Sequence, residues 1–145
     1  MVGSLDDYRI ALDILGDDVD PDKISRMLGA EPTMSHRKGD AIRGADGTFR
    51  RHAISGRWSI ERSSRDINEP DFGTSLRELL DLMTDNLDIW NRLSDQFDTG
   101  LFCGIFLTDS NRGFTISPEL MSALSDRNLY LGLDLYGPEL PQSKE

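Results

Sequence analysis

Apolar and polar residues alternate along "YRIALDIL", residues 8–15. Tyr8, Ile10, Leu12 and Ile14 fall on one face and Arg9 and Asp13 on the other, the period of a half-buried strand. The next stretch, "GDDVDPDKISRMLG", switches to helical grammar. Asp20 suits an N-cap, Pro21 the first helical position, Asp22 the positive end of the helix dipole, and Gly29 the stop. Ile24, Met27 and Leu28 form the apolar stripe. "AEPTMSHRKGD" reads as a loop, because Glu31 precedes Pro32 and is biased away from helix. The Asp-Gly signal in "GADG", residues 44–47, predicts a hairpin turn between short strand-like flanks. "ISGRWSIER" alternates again, with Ile54, Trp58 and Ile60 on one face and Ser55, Arg57, Ser59 and Glu61 on the other. The basic residues then stand on the open side of a hairpin whose other side packs on the core.

From Phe72 the period lengthens. Leu76, Leu79, Leu80 and Met83 keep helical spacing, and Ser75 with Glu78 predicts a capping box. Asp88 is placed to cap a second helix that buries Ile89, Trp90, Leu93 and Phe97. "GLFCGIFLT" is apolar on both faces and reads as a central strand. "TISPELMSALSDRN" is another Ser-capped, Pro-first helix, with Leu120, Met121 and Leu124 inward. "LYLGLDLYG" closes as a strand that carries Leu129, Leu131, Leu133 and Leu135 on one face and Asp134 with Tyr136 on the other.

This order predicts one α+β domain over residues 1–145, a mostly antiparallel sheet with helices packed on one face. The ordered core is expected over about residues 5–137, with a flexible tail at 138–145. "VDPDKISRML" and "ISPELMSALS" echo each other: an apolar residue, a cap, Pro, an acid, then Ser four positions after the Pro. Weak internal strand–helix duplication and convergent capping chemistry both account for the echo.

Composition narrows the function classes. The hydrophobic share of 37% and charged share of 29% are ordinary globular values. The longest apolar run, "LFCGIFL", is too short to span a bilayer, and the first residues lack the n-region and h-region of a signal peptide. The lone cysteine, Cys103, excludes an intramolecular disulfide and fits a reducing cytoplasm. Its apolar surroundings predict a buried, inert thiol. A formal charge of −10 argues against general nucleic-acid binding and against anionic membranes.

The charge is unevenly spread. Residues 36–65 hold seven Arg and one Lys against three acids, a local +5, which leaves −15 for the rest of the chain. His36, Arg37, Lys38, Arg43, Arg51 and Arg57 are the ligand-binding candidates in this segment, because arginine forks suit carboxylates and phosphates. The plainer reading is that these side chains neutralise acids elsewhere in the same molecule. Trp58 is expected to be a structural core anchor. No catalytic residue is identified. The glycines form no phosphate-cradling fingerprint, and there is no nucleophile elbow. His36 and His52 lack partners at zinc-ligand spacing, and the acidic runs lack the calcium-loop pattern, so neither metal nor cofactor is expected.

Taken in order, "LDILGDDVDPDKISRMLGAEPT", "SGRWSIERS" and "LYLGLDLYG" resemble the bacterial domain-of-unknown-function family 4279. The shared pieces are an early D-P-x-x-[IL]-[ST] helix, an L-G-x-x-P turn, a Gly-x-Trp strand and a closing [LI]-x-[LF]-D-[IL]-Y, covering roughly residues 8–136. Ala30 departs from the pattern, which carries a larger aliphatic there. The resemblance implies a small bacterial protein and marks Gly56, Trp58, Asp134 and Tyr136 as family-typical. It brings no catalytic residues.

Two function classes follow. The preferred one is a non-enzymatic cytoplasmic binding module that recognises a basic protein partner, in the manner of an inhibitor or antitoxin. The alternative is a protein that binds, or an enzyme that acts on, a small anionic ligand through the Arg-rich segment 36–65. Convergence discriminates them. Arginines gathered in one concavity favour the anion, and arginines that splay apart favour the partner.

Overall fold

The computed structural model describes residues 7–64, 71–107 and 113–137; Arg65 and the expected tail at 138–145 lie outside the described residues. The elements are β1 (Asp7–Gly16), α1 (Pro21–Leu28), β2 (Met34–His36), β3 (Ala41–Arg43), β4 (Phe49–His52), β5 (Gly56–Ser63), α2 (Phe72–Asp81), α3 (Leu87–Gln96), β6 (Asp98–Phe106), α4 (Pro118–Asp126) and β7 (Tyr130–Tyr136). The main sheet has the order β2-β5-β1-β6-β7. All its pairings are antiparallel except β6 with β7, whose parallel run is connected through α4. The fold is the α+β domain that the periodicities predict.

Register explains the core. Leu12 lies opposite both Ile60 and Leu101, Ile14 opposite Trp58, and Ile10 opposite Cys103. This face of the sheet and the inward residues of all four helices form one buried cluster. Polar contacts fasten helices to strands, among them Trp58 Nε1 donating to Ser25 Oγ at 3.0 Å and the Tyr8 and Ser75 hydroxyls 2.5 Å apart. Helix α1 starts on the Asp20 carboxylate and ends at Gly29, whose φ of 68° is the left-handed conformation that glycine tolerates. Helix α4 starts on Ser117 with Pro118 first.

Several expectations need correction. Ile54 is 82% exposed, because β5 begins only at Gly56 and its alternation does not reach back that far. The stretch expected to be a loop contains β2, which takes the edge position beside β5. The β3–β4 hairpin forms at the Asp-Gly turn, but as a separate two-stranded sheet, and every residue of β4 is exposed. With β2 occupying the edge, the hairpin has no place on the core. Helix α2 is capped by Asp71, one turn before the expected Ser75, and Ser75 is buried against Tyr8. Asn86, not Asp88, caps α3. Met121 is exposed because Leu120, Ala123 and Leu124 complete the buried stripe of α4. Strand β6 is apolar on both faces, yet Phe102 and Phe106 are exposed, since the helices cover only one side of the sheet.

Cys103 faces the core and is buried, and desolvation pushes its thiol up to about 12. A thiol reagent at neutral pH is expected to label it slowly in native protein and fast in denaturant; equal rates would place it on the surface. Because the unfolded thiol ionises near its ordinary 9.0 and the folded one does not, the unfolded state sheds its proton first. Cys103 therefore lowers stability as pH rises from 9.0 towards 12.

Candidate functional site

The helix-free face of the sheet carries the alternate residues of every strand. Its floor is made of small residues, Ala11, Gly104 and Gly132, which leave a groove of about 430 Å³ across β5, β1, β6 and β7. One wall is aromatic. Phe102 meets Tyr130 edge to face with ring centroids 5.4 Å apart, and Phe106 stacks on Tyr136 at 5.0 Å with an interplanar angle of 11°. Gly100 makes the first pair possible. A Cβ at that position would come within 2.1 Å of Tyr130 Cζ, so only glycine lets the phenol ring lie across the strand.

The other wall is charged and internally paired. Arg57 donates from Nε and Nη2 to one oxygen of Asp13, at 3.2 and 3.0 Å, and Arg9 pairs with Glu61 at 2.8 Å. Asp134 and Asp98 have no cation at ion-pair distance among the described residues. Asp134 accepts from Tyr136 Oη at 3.2 Å. Burial, and then the neighbouring Asp98 and Asp13 carboxylates, raise the Tyr130 phenol, which stays neutral and donates to Asp98. The groove thus offers stacked rings beside Asp134, a carboxylate without a cation among the described residues. Such a surface suits a flat or compact cation.

The basic candidates do not gather there. Arg57 alone lines the groove, and its fork is occupied by Asp13. Arg37 reaches Asp20 at 2.8 Å and Asp22 at 3.9 Å, and Lys38 reaches Asp17 at 3.1 Å. The Lys38 hydrogen bond holds the Asp17 carboxyl below its usual range. Arg43 donates to the Gly47 carbonyl within its own hairpin, and Arg51 stands exposed on β4. His36 lies opposite Arg57, with Nδ1 buried and unpartnered among the described residues; Ser59 Oγ, opposite Met34, is likewise unpartnered among them. The segment splays over separate places and is mostly spent on acids of the same chain.

Sequence reasoning singled out Asp134, Tyr136 and Arg57, which do line the groove. It missed Phe102 and Phe106, which line the groove, and Tyr130, which packs on Phe102. Their signal is present, since Phe102 and Phe106 alternate with the buried Leu101, Cys103 and Ile105, but a strand apolar on both faces does not reveal which face is left uncovered. Among the described residues no group of three or more His, Cys, Asp and Glu could hold a metal ion, and no helix is long and apolar enough to cross a membrane. No curated protein and no solved structure matches the chain. A family model described as a domain of unknown function, DUF4279, matches residues 6–138. Covering strand β1 through strand β7, that match shows that the chain belongs to the DUF4279 family.

Proposed function

We propose that the protein is a non-enzymatic interaction module that takes a basic segment of a protein partner into the groove on its open sheet face. The observation that carries this reading is the pairing pattern: the groove's arginines are tied to carboxylates, while Asp134 faces no cation among the described residues. An arginine of the partner would stack on the Phe106–Tyr136 pair and place its fork on Asp134. The formal charge of −10 would speed the encounter. Occlusion of a basic partner in this way is the mode of an inhibitor or antitoxin, and we place it in a bacterial cytoplasm, where a lone reduced thiol is at home.

Calorimetric titration with an oligo-arginine peptide tests this. Asp134→Asn is expected to weaken binding by about tenfold, the loss of one charge-assisted contact. Tyr136→Ala should act similarly, and oligo-lysine should bind less well because it stacks poorly. Binding unchanged in both variants would mean diffuse attraction to an acidic surface and would sink the groove. Phosphate and sulfate should raise the melting temperature no more than chloride does at matched ionic strength. A saturable rise that Arg43→Ala abolishes would instead favour the small-anion reading.

A further inference from the structure

Strand β7 reads Tyr130-Leu131-Gly132-Leu133-Asp134-Leu135-Tyr136. About Leu133 it is nearly the same in both directions: Tyr answers Tyr, Leu answers Leu, and only Gly132 is answered by a different residue, Asp134. It is also the end strand of the sheet, and Tyr130, Leu133, Leu135 and Tyr136 are exposed. The Tyr136 carbonyl accepts from the Leu107 N–H at 2.8 Å, so residue 136 turns its backbone groups toward β6. Backbone direction alternates along a strand, and Leu131, Leu133 and Leu135 therefore present their N–H and C=O groups at the outer edge. An edge of this length that carries one charge is a template for a further strand.

We propose that the occupant of this edge is β7 of a second copy of the chain, paired antiparallel about a two-fold axis through Leu133. The near-palindrome is what selects a copy over a foreign strand. In this register Leu133 lies opposite Leu133 of the second copy, Leu131 opposite Leu135, and Tyr130 opposite Tyr136, so that aliphatic meets aliphatic on one face and aromatic meets aromatic on the other. Asp134 falls opposite Gly132 of the second copy, and the only charged side chains on the two strands do not face each other. The outward backbone groups of the three leucines exchange hydrogen bonds with their counterparts, and the two sheets become one. This interface does not rest on the groove reading, because the outer backbone edge of β7 carries it; Leu133, Asp134 and Tyr136 also line the groove, but failure of the pairing shows in the sedimented mass and failure of the groove in the oligo-arginine titration.

Sedimentation equilibrium of the purified chain tests it. The expected mass is about twice the 16.3 kDa of one chain, and added salt should strengthen the dimer by screening two acidic bodies. Leu133→Lys sets two ammonium groups face to face on the axis and should give a folded monomer whose melting temperature falls no lower than that of wild type diluted to a monomer, since Leu133 is already 45% exposed. Leu133→Cys should cross-link on mild oxidation, its two Cα atoms lying about 5.5 Å apart in a hydrogen-bonded antiparallel pair. Leu135→Cys should not, because it faces Leu131 and not itself. A wild-type monomer at high concentration, a dimer that survives Leu133→Lys, or equal cross-linking at 133 and 135 would each overturn the pairing.

Discussion

Trp58→Ala is expected to destabilise the protein by about 3–5 kcal/mol, the range for truncating a fully buried large aromatic. The indole has no exposed surface and sits opposite Ile14 on the central strand, at the point where α1 crosses β5. Two losses combine. The removed ring leaves a cavity between sheet and helix, and Ser25 Oγ loses the indole N–H that donates to it. Thermal unfolding should show a midpoint lower by roughly 10 °C for a chain of this length. Trp58→Phe separates the two losses, keeping most of the volume while removing the donor, and should cost only part of the total. A Trp58→Ala protein melting within about a degree of the parent would remove Trp58 from the core.

The second large effect concerns the Arg57–Asp13 pair in the groove wall. Arg57→Ala is expected to cost about 2–3 kcal/mol, because it strands the Asp13 carboxylate without its cation. The side chains are 33% and 9% exposed respectively. That asymmetry sets the size: water can reach Asp13 through the space the arginine vacates, which keeps the cost at the lower end of values for buried pairs. Removing both partners should cost less than the sum of the two single changes, a coupling measurable in a double-mutant cycle by urea denaturation. Additive costs would mean that the pair is a surface contact worth little. From the sequence Arg57 looks like one more exposed charge, and only the register of β1 with β5 shows what its loss uncovers.

The same contrast runs through the fold. Residues 8–14 and 20–29 declare their elements because the information is local: a period of two, a cap, a proline and a glycine. Trp58 and Cys103 declare their burial through apolar neighbours two positions away. The β2 strand declares nothing, since "MSH" has no period and becomes a strand only by pairing with residues 57–59. The groove was legible in fragments, Arg57 on one strand and Asp134 with Tyr136 on another. Its walls come from four strands spread between Arg9 and Tyr136, and their meeting depends on sheet order, which no short-range pattern encodes. The charge run at residues 36–65 was conspicuous by composition, and composition says nothing about whether a charge is already answered by a neighbour.

The outlying β3–β4 hairpin gives the molecule a polarity of its own. Three arginines against one aspartate leave residues 41–52 with a formal +2, while the remainder of the chain carries −12. A separate, exposed sheet that carries the positive charge makes the distribution uneven, and an uneven distribution biases how a charged body approaches before any contact is made. A cationic visitor would be repelled by the hairpin and drawn to the acidic remainder. An anionic one would be drawn to the hairpin. The orientation of encounters would thus be biased at a distance by a segment that contributes almost nothing to the packed interior.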